Sequence, residues 1–108
     1  MEQLQRANVL IVDDELGPRE SLGMILKPSF NIFTSEDGNE ALQIIKKTAI
    51  DVVTLDLKMP IMPGEEVLKR IKEYDPTIEV VIITGYGSFR SKLNNYIFCG
   101  DLFLRNII

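Results

Sequence analysis

The chain of 108 residues is long enough for one domain and short for two. Apolar residues make up 45% and charged residues 26%, which suits a chain that buries a single core. Twelve Lys plus Arg stand against sixteen Asp plus Glu, a net charge of −4, so no basic face is expected for nucleic acid. The absence of His removes imidazole acid–base chemistry and His metal ligands. The single Cys99 excludes an internal disulfide and a Cys-cluster zinc site. No apolar run approaches the ~20 residues of a membrane span. The first six residues lack the apolar stretch of a signal peptide, so a cytoplasmic protein is expected.

In chain order, Asn8-Val9-Leu10-Ile11-Val12 is a short apolar, β-branched run that ends at Asp13-Asp14-Glu15. It predicts a strand buried on both faces with acids at its carboxyl end. Leu22, Ile25 and Leu26 recur at helical spacing, with Pro18 in the first turn and Pro28 as the stop. Phe30 to Ser35 is a second strand. Asp37 or Asn39 caps a second helix, whose apolar positions are Ala41, Leu42, Ile44 and Ile45 and whose last turn carries Lys46-Lys47. A third strand runs from Asp51 to Leu57.

Lys58 to Gly64 holds two prolines and a glycine and reads as a loop. Glu65 to Tyr74 is a third helix with Val67, Leu68 and Ile71 inward. Its Glu65-Glu66 and Lys69-Arg70 pairs read as a solvated face with i,i+4 pairing. Asp75-Pro76 ends it. Ile78 to Thr84 is a fourth strand and Gly85 to Ser88 a turn. Phe89, Leu93, Tyr96 and Ile97 predict a fourth helix with Ser88 as its cap, and Leu102-Phe103-Leu104 a fifth strand. Alternating strands and helices predict a doubly wound parallel sheet. The chain stops soon after the fifth strand, so a last helix is missing or altered.

In such a sheet, ligands bind beyond the carboxyl ends of the strands. Asp13-Asp14, Asp56 and Thr84 all fall there. Three acids packed together repel unless a cation sits among them. A ligand set made only of oxygen selects Mg²⁺, with Mn²⁺ as a substitute, over zinc.

These residues resemble the receiver domains of two-component response regulators. The matching segments are Val9 to Glu15, Leu55-Asp56-Leu57-Lys58-Met59-Pro60, Pro63-Gly64 and Val81 to Gly87. The spacings agree as well: 42 residues from Asp14 to Asp56 and 28 from Asp56 to Thr84. The match is close over residues 8–88, with 89–108 divergent or truncated, in a single domain over 1–108. The run Arg19 to Leu26 and the Lys58-Met59-Pro60 loop look most like receivers of sigma-54-dependent activators.

The resemblance implies a flavodoxin-like, CheY-like fold with strand order 2-1-3-4-5. It implies that Asp56 takes a phosphoryl group from a sensor histidine kinase, an aspartate nucleophile forming an acyl phosphate. It makes Asp13, Asp14, Asp56 and the backbone carbonyl of Lys58 the metal ligands. Thr84 becomes the switch hydroxyl and Phe103 the aromatic switch. The output, in an attached domain or a downstream protein, would be transcription regulation. The implied protein is a signalling switch and not an enzyme, with no direct nucleic-acid contact by this domain and no membrane contact.

The tail departs from the family. A Lys is implied 22 residues past Thr84, where Asn106 stands, followed by Ile107. The alternative is therefore a receiver that acts as a protein-interaction module without phosphorylation. The apolar tail Phe103-Leu104 and Ile107-Ile108, with a sheet face left uncovered, predicts a homodimer or a tail exchanged between protomers. A Mg²⁺-dependent phosphatase fits poorly, since Lys58 stands where its second acid belongs. A flavin site fits poorly too, because the first loop is acidic where a phosphate cradle is basic or small.

Overall fold

The computed structural model describes residues 5–57, 59–83, 96–99 and 102–105, the last two stretches as backbone. The elements in order are β1 (Asn8–Val12), α1 (Leu16–Leu26), β2 (Asn31–Ser35), α2 (Gly38–Lys47), β3 (Val52–Asp56), α3 (Gly64–Tyr74), β4 (Glu79–Ile83), β5 (Tyr96–Cys99) and β6 (Leu102–Arg105). β1 pairs in parallel with β2 and β3, and β3 pairs in parallel with β4. The expected order 2-1-3-4 is therefore present.

Beyond β4 the backbone differs from the expectation. β6 lies beside β4 but runs antiparallel to it, and β5 pairs antiparallel on the outer side of β6. A fifth parallel strand was expected next to β4. The expected fourth helix falls mostly on residues 84–95, outside the described residues. Its last members, Tyr96 and Ile97, are in a strand instead. Tyr, Ile and Phe suit a pleated surface. Only two residues separate Cys99 from Leu102, a length that joins antiparallel neighbours and is far too short for a parallel crossover.

Strand alternation divides the core. Leu10, Val12, Val53, Leu55, Val80 and Ile82 face α2 and α3, where Ala41, Ile45, Val67, Leu68 and Ile71 close the cluster. Each such side chain, fully buried, contributes about 1.5–3 kcal/mol. α1 lies on the opposite face over β1 and β2. A Cβ placed on Gly23 would come within 3.8 Å of Ile32 Cγ2 and 3.9 Å of Ile11 Cδ1. α1 fully buries none of its own residues.

Local chemistry sets the element ends. Asp37 caps α2: its Oδ1 accepts from the Glu40 N–H at 2.8 Å, and Glu40 Oε1 accepts from the Glu36 N–H at 3.1 Å. Lys46 and Lys47 occupy the last turn, where the helix dipole favours cations. On α3 the expected i,i+4 pair forms between Glu66 and Arg70, with Nε 2.8 Å from Oε2. That hydrogen bond holds the Glu66 carboxyl below its ordinary range. Among the described residues, no helix is long and apolar enough to cross a membrane.

Candidate functional site

The carboxyl ends of β1 and β3 form the acidic edge. Val12 pairs in register with Leu55, so Asp13 and Asp56 are the next residues on neighbouring strands. Asp56 itself pairs with Ile83, and Thr84 is the next residue in sequence. The side-chain oxygens of Asp13, Asp14 and Glu15 lie within 4.8 Å of one another. Asp56 stands outside that group. Asp13 and Asp56 are half-buried, whereas Asp14 and Glu15 are exposed.

The loop carrying these acids is held from three sides. The Asp13 N–H donates to Ser35 O at 3.1 Å, which extends the β1–β2 pairing past the last strand residue. Asp13 Oδ1 accepts from the Glu15 N–H at 2.9 Å, a tight Asx-type turn. Arg19, on the first turns of α1, donates from Nη1 to Asp13 O at 2.7 Å, and its Nη2 lies 3.9 Å from Glu36 Oε2. The guanidinium thus ties the loops after β1 and β2 to the start of α1.

On the β3 side, Gly64 opens α3 directly against the strand end. A Cβ there would lie 2.5 Å from Leu57 Cα and 3.0 Å from Asp56 O. Only a residue without a side chain allows this approach. Beside the acids, Asp14, Glu15, Met59 and Pro60 line an open cleft of about 270 Å³.

The structure thus brings Asp13 and Asp14 together and places Asp56 at the adjacent strand end. Lys58, Thr84 and Asn106 lie outside the described residues. Phe103 is in β6, in register with Ile82, and its side chain is likewise outside the description. Sequence reasoning missed Glu15 as a member of the acidic group and Arg19 as the tie of its loop. The signal for Glu15 was its place two residues after Asp13, within reach of an Asx turn. Arg19 carried none, because nothing in the spacing shows which loop a helix side chain meets.

The donor set fits a hard divalent cation. The Asp13-Asp14-Glu15 group is all oxygen and anionic, its atoms are close enough to share one ion, and its neighbourhood is open on the Asp14 side.

A family model described as the response regulator receiver domain matches residues 9–99. The chain belongs to that family. The receiver domain is 41% identical over 85 residues to sporulation initiation phosphotransferase F of Bacillus subtilis (strain 168), a match that covers 78% of this chain and 68% of that protein. It is 34% identical over 83 residues to the transcriptional regulatory protein GlrR of Escherichia coli (strain K12), covering 76% of this chain and 19% of GlrR. A transcriptional regulatory protein is thus among its relatives, and most of that protein lies beyond the matched receiver. Among solved structures, the response regulator TrrA of Thermotoga maritima in complex with Mg²⁺ and BeF aligns with a TM-score of 0.76 at 34% identity. That alignment covers 82% of this chain and 78% of TrrA. The CheY-like fold and the receiver assignment both stand on these matches.

Proposed function

We propose that this receiver takes a phosphoryl group onto Asp56 from a sensor histidine kinase and works as a switch in the cytoplasm, coupled to an output that regulates transcription. One observation carries the reading: Asp56 ends β3 one residue past the Leu55–Val12 register pair, next to the Asp13-Asp14-Glu15 group.

Each residue then has a task. An Asp56 carboxylate oxygen attacks the phosphorus of a phosphohistidine. The O–P bond forms as the P–N bond breaks, and the leaving imidazole nitrogen keeps the electron pair and takes a proton from water. Asp13 and Asp14 would hold Mg²⁺ or Mn²⁺ together with Asp56 and the Lys58 carbonyl. When bound, the metal supplies neutralising charge to the transferring group. Arg19 keeps the loop of Asp13 and Asp14 in place through the Asp13 carbonyl. Gly64 fixes the position of the Asp56 backbone. Thr84 supplies the switch hydroxyl, and Phe103 the aromatic position that follows it. The added charge of about −2 at Asp56 biases the switch. The TrrA relative, solved with Mg²⁺ and BeF, supports the metal and the phosphoryl chemistry by analogy.

The test is incubation with Mg²⁺ and acetyl phosphate, followed by intact mass. Wild type should gain one phosphoryl group, should gain none when the metal is chelated, and Asp56→Asn should gain none at all. Asn106, where the family resemblance implies Lys, favours the second reading of an interaction module. Absence of uptake by wild type at saturating Mg²⁺ would select that reading.

A further inference from the structure

The Asp13 residue is gripped from both sides through its backbone. Its N–H donates to Ser35 O at 3.1 Å, and its carbonyl accepts from Arg19 Nη1 at 2.7 Å. The second arm of the same guanidinium, Nη2, lies 3.9 Å from Glu36 Oε2, and Glu36 follows Ser35 directly. Asp13, Arg19, Glu36 and Ser35 therefore close a circuit around the loop after β1. That circuit is anchored on the start of α2. Ser35 is buried and donates from Oγ to Asp37 O at 2.6 Å, while the Glu36 N–H donates to Glu40 Oε1 at 3.1 Å.

The two charged members differ in exposure. The Arg19 side chain is 13% exposed and that of Glu36 69%. A guanidinium so far out of water needs acceptors for its fork, and here one arm takes a carbonyl while the other faces a carboxylate. A lysine could serve one of the two, not both. The outer end of the circuit thus lies at the surface, on a loop that carries none of the acids Asp13, Asp14 and Asp56.

We propose that Glu36 and Arg19 form a positioning relay for the metal site. Glu36 holds the guanidinium, the guanidinium holds the Asp13 carbonyl, and the cation affinity of Asp13 and Asp14 thereby depends on the loop after β2. The relay rests on the reading of these acids as metal ligands and adds to it a control point outside the acidic edge. Plain electrostatics and positioning call for opposite signs at Arg19. As a bare charge, Arg19 repels a divalent cation, so its removal would tighten metal binding. As a tie, it orders the loop before the metal arrives. Its removal then weakens binding, because the cation must fix the loop as well.

Mn²⁺ titration of the full chain, read by water-proton relaxation at low salt and at ~1 M salt, tests the relay. At the higher salt the Debye length is ~3 Å, so exposed charges contribute little. Arg19→Gln should weaken binding about tenfold at both salts. Arg19→Lys keeps the charge without the fork and should weaken it about two- to fivefold. Glu36→Gln should weaken it about two- to fivefold in wild type and have no effect in the Arg19→Gln background at ~1 M salt. If Arg19→Gln fails to fold in urea titrations, Arg19→Lys and Glu36→Gln decide. Arg19→Gln binding as tightly as wild type or tighter, or Arg19→Lys binding as wild type does, would overturn the relay and leave the metal reading intact. So would equal effects of Glu36→Gln in the two backgrounds. A wild type that takes up no Mn²⁺ would overturn both.

Discussion

Substituting Gly64 by Ala tests the packing that holds Asp56. A methyl group there meets Leu57 Cα at 2.5 Å, Leu57 Cδ2 at 2.7 Å and Asp56 O at 3.0 Å. Carbon–carbon contacts are comfortable at about 3.5–4.0 Å, so strand end and helix must part by about 1 Å. The nearest atom, Leu57 Cα, is backbone, and the Leu57 side chain is itself buried, so neither can yield freely. Overpacking of this kind costs about 1–3 kcal/mol. Gly17→Ala on α1 is the control, because its new methyl meets nothing within 4 Å. It should stabilise by about 0.4–1 kcal/mol through the lost freedom of the unfolded chain. The two variants should then differ by about 2 kcal/mol or more in urea unfolding, with Gly64→Ala melting lower by roughly 4–8 °C per kcal/mol lost. Gly64→Ala should also slow phosphoryl uptake, since Asp56 O must move. A Gly64→Ala protein within about 0.5 kcal/mol of wild type would refute the close approach and the role of Gly64 in positioning Asp56.

Asp37→Ala should lose the α2 cap and about 1 kcal/mol in the same unfolding assay, whereas Asp37→Asn should retain most of it. Glu66 and Asp75 have folded-state affinities for protons below their ordinary values of 4.5 and 3.8, through the Arg70 hydrogen bond and the Thr77 hydroxyl respectively. Their stabilisation is therefore complete above those values and is lost as pH falls below them. Arg70→Gln should flatten the Glu66 part of that acid limb in unfolding titrations between about pH 5 and pH 3. Asp14→Asn should greatly weaken Mn²⁺ binding measured by water-proton relaxation, and unchanged affinity would remove Asp14 from the metal site.

Four strands and three helices could be read from the sequence within a residue or two, because their apolar periods were unambiguous. The run Val9–Val12 ends where the acids begin, and Asp37 stands one residue ahead of the helix it caps. Tyr96 and Ile97 were misread because a pair of bulky apolar residues fits a helical stripe and a strand equally well. Their pairing with a partner strand, which sets Ile97 in register with Leu104 seven residues on, is a tertiary fact that no local pattern carries. The acids at the strand ends were legible as a site because topology alone gathers them there. Glu15 was not, since its membership depends on how the loop turns after Asp13. Gly64 was legible as a loop residue, but its reason, the backbone of Leu57, appears only once α3 is docked on β3.

The central claim is that Asp56, among four acids at one edge, is the nucleophile. Borohydride reduction of the phosphorylated protein converts an aspartyl phosphate to homoserine, and peptide sequencing by mass spectrometry then locates it. The account requires homoserine at position 56 and at no other acid. Homoserine at Asp13 or Asp14, or none anywhere in protein that has gained a phosphoryl group, would contradict it.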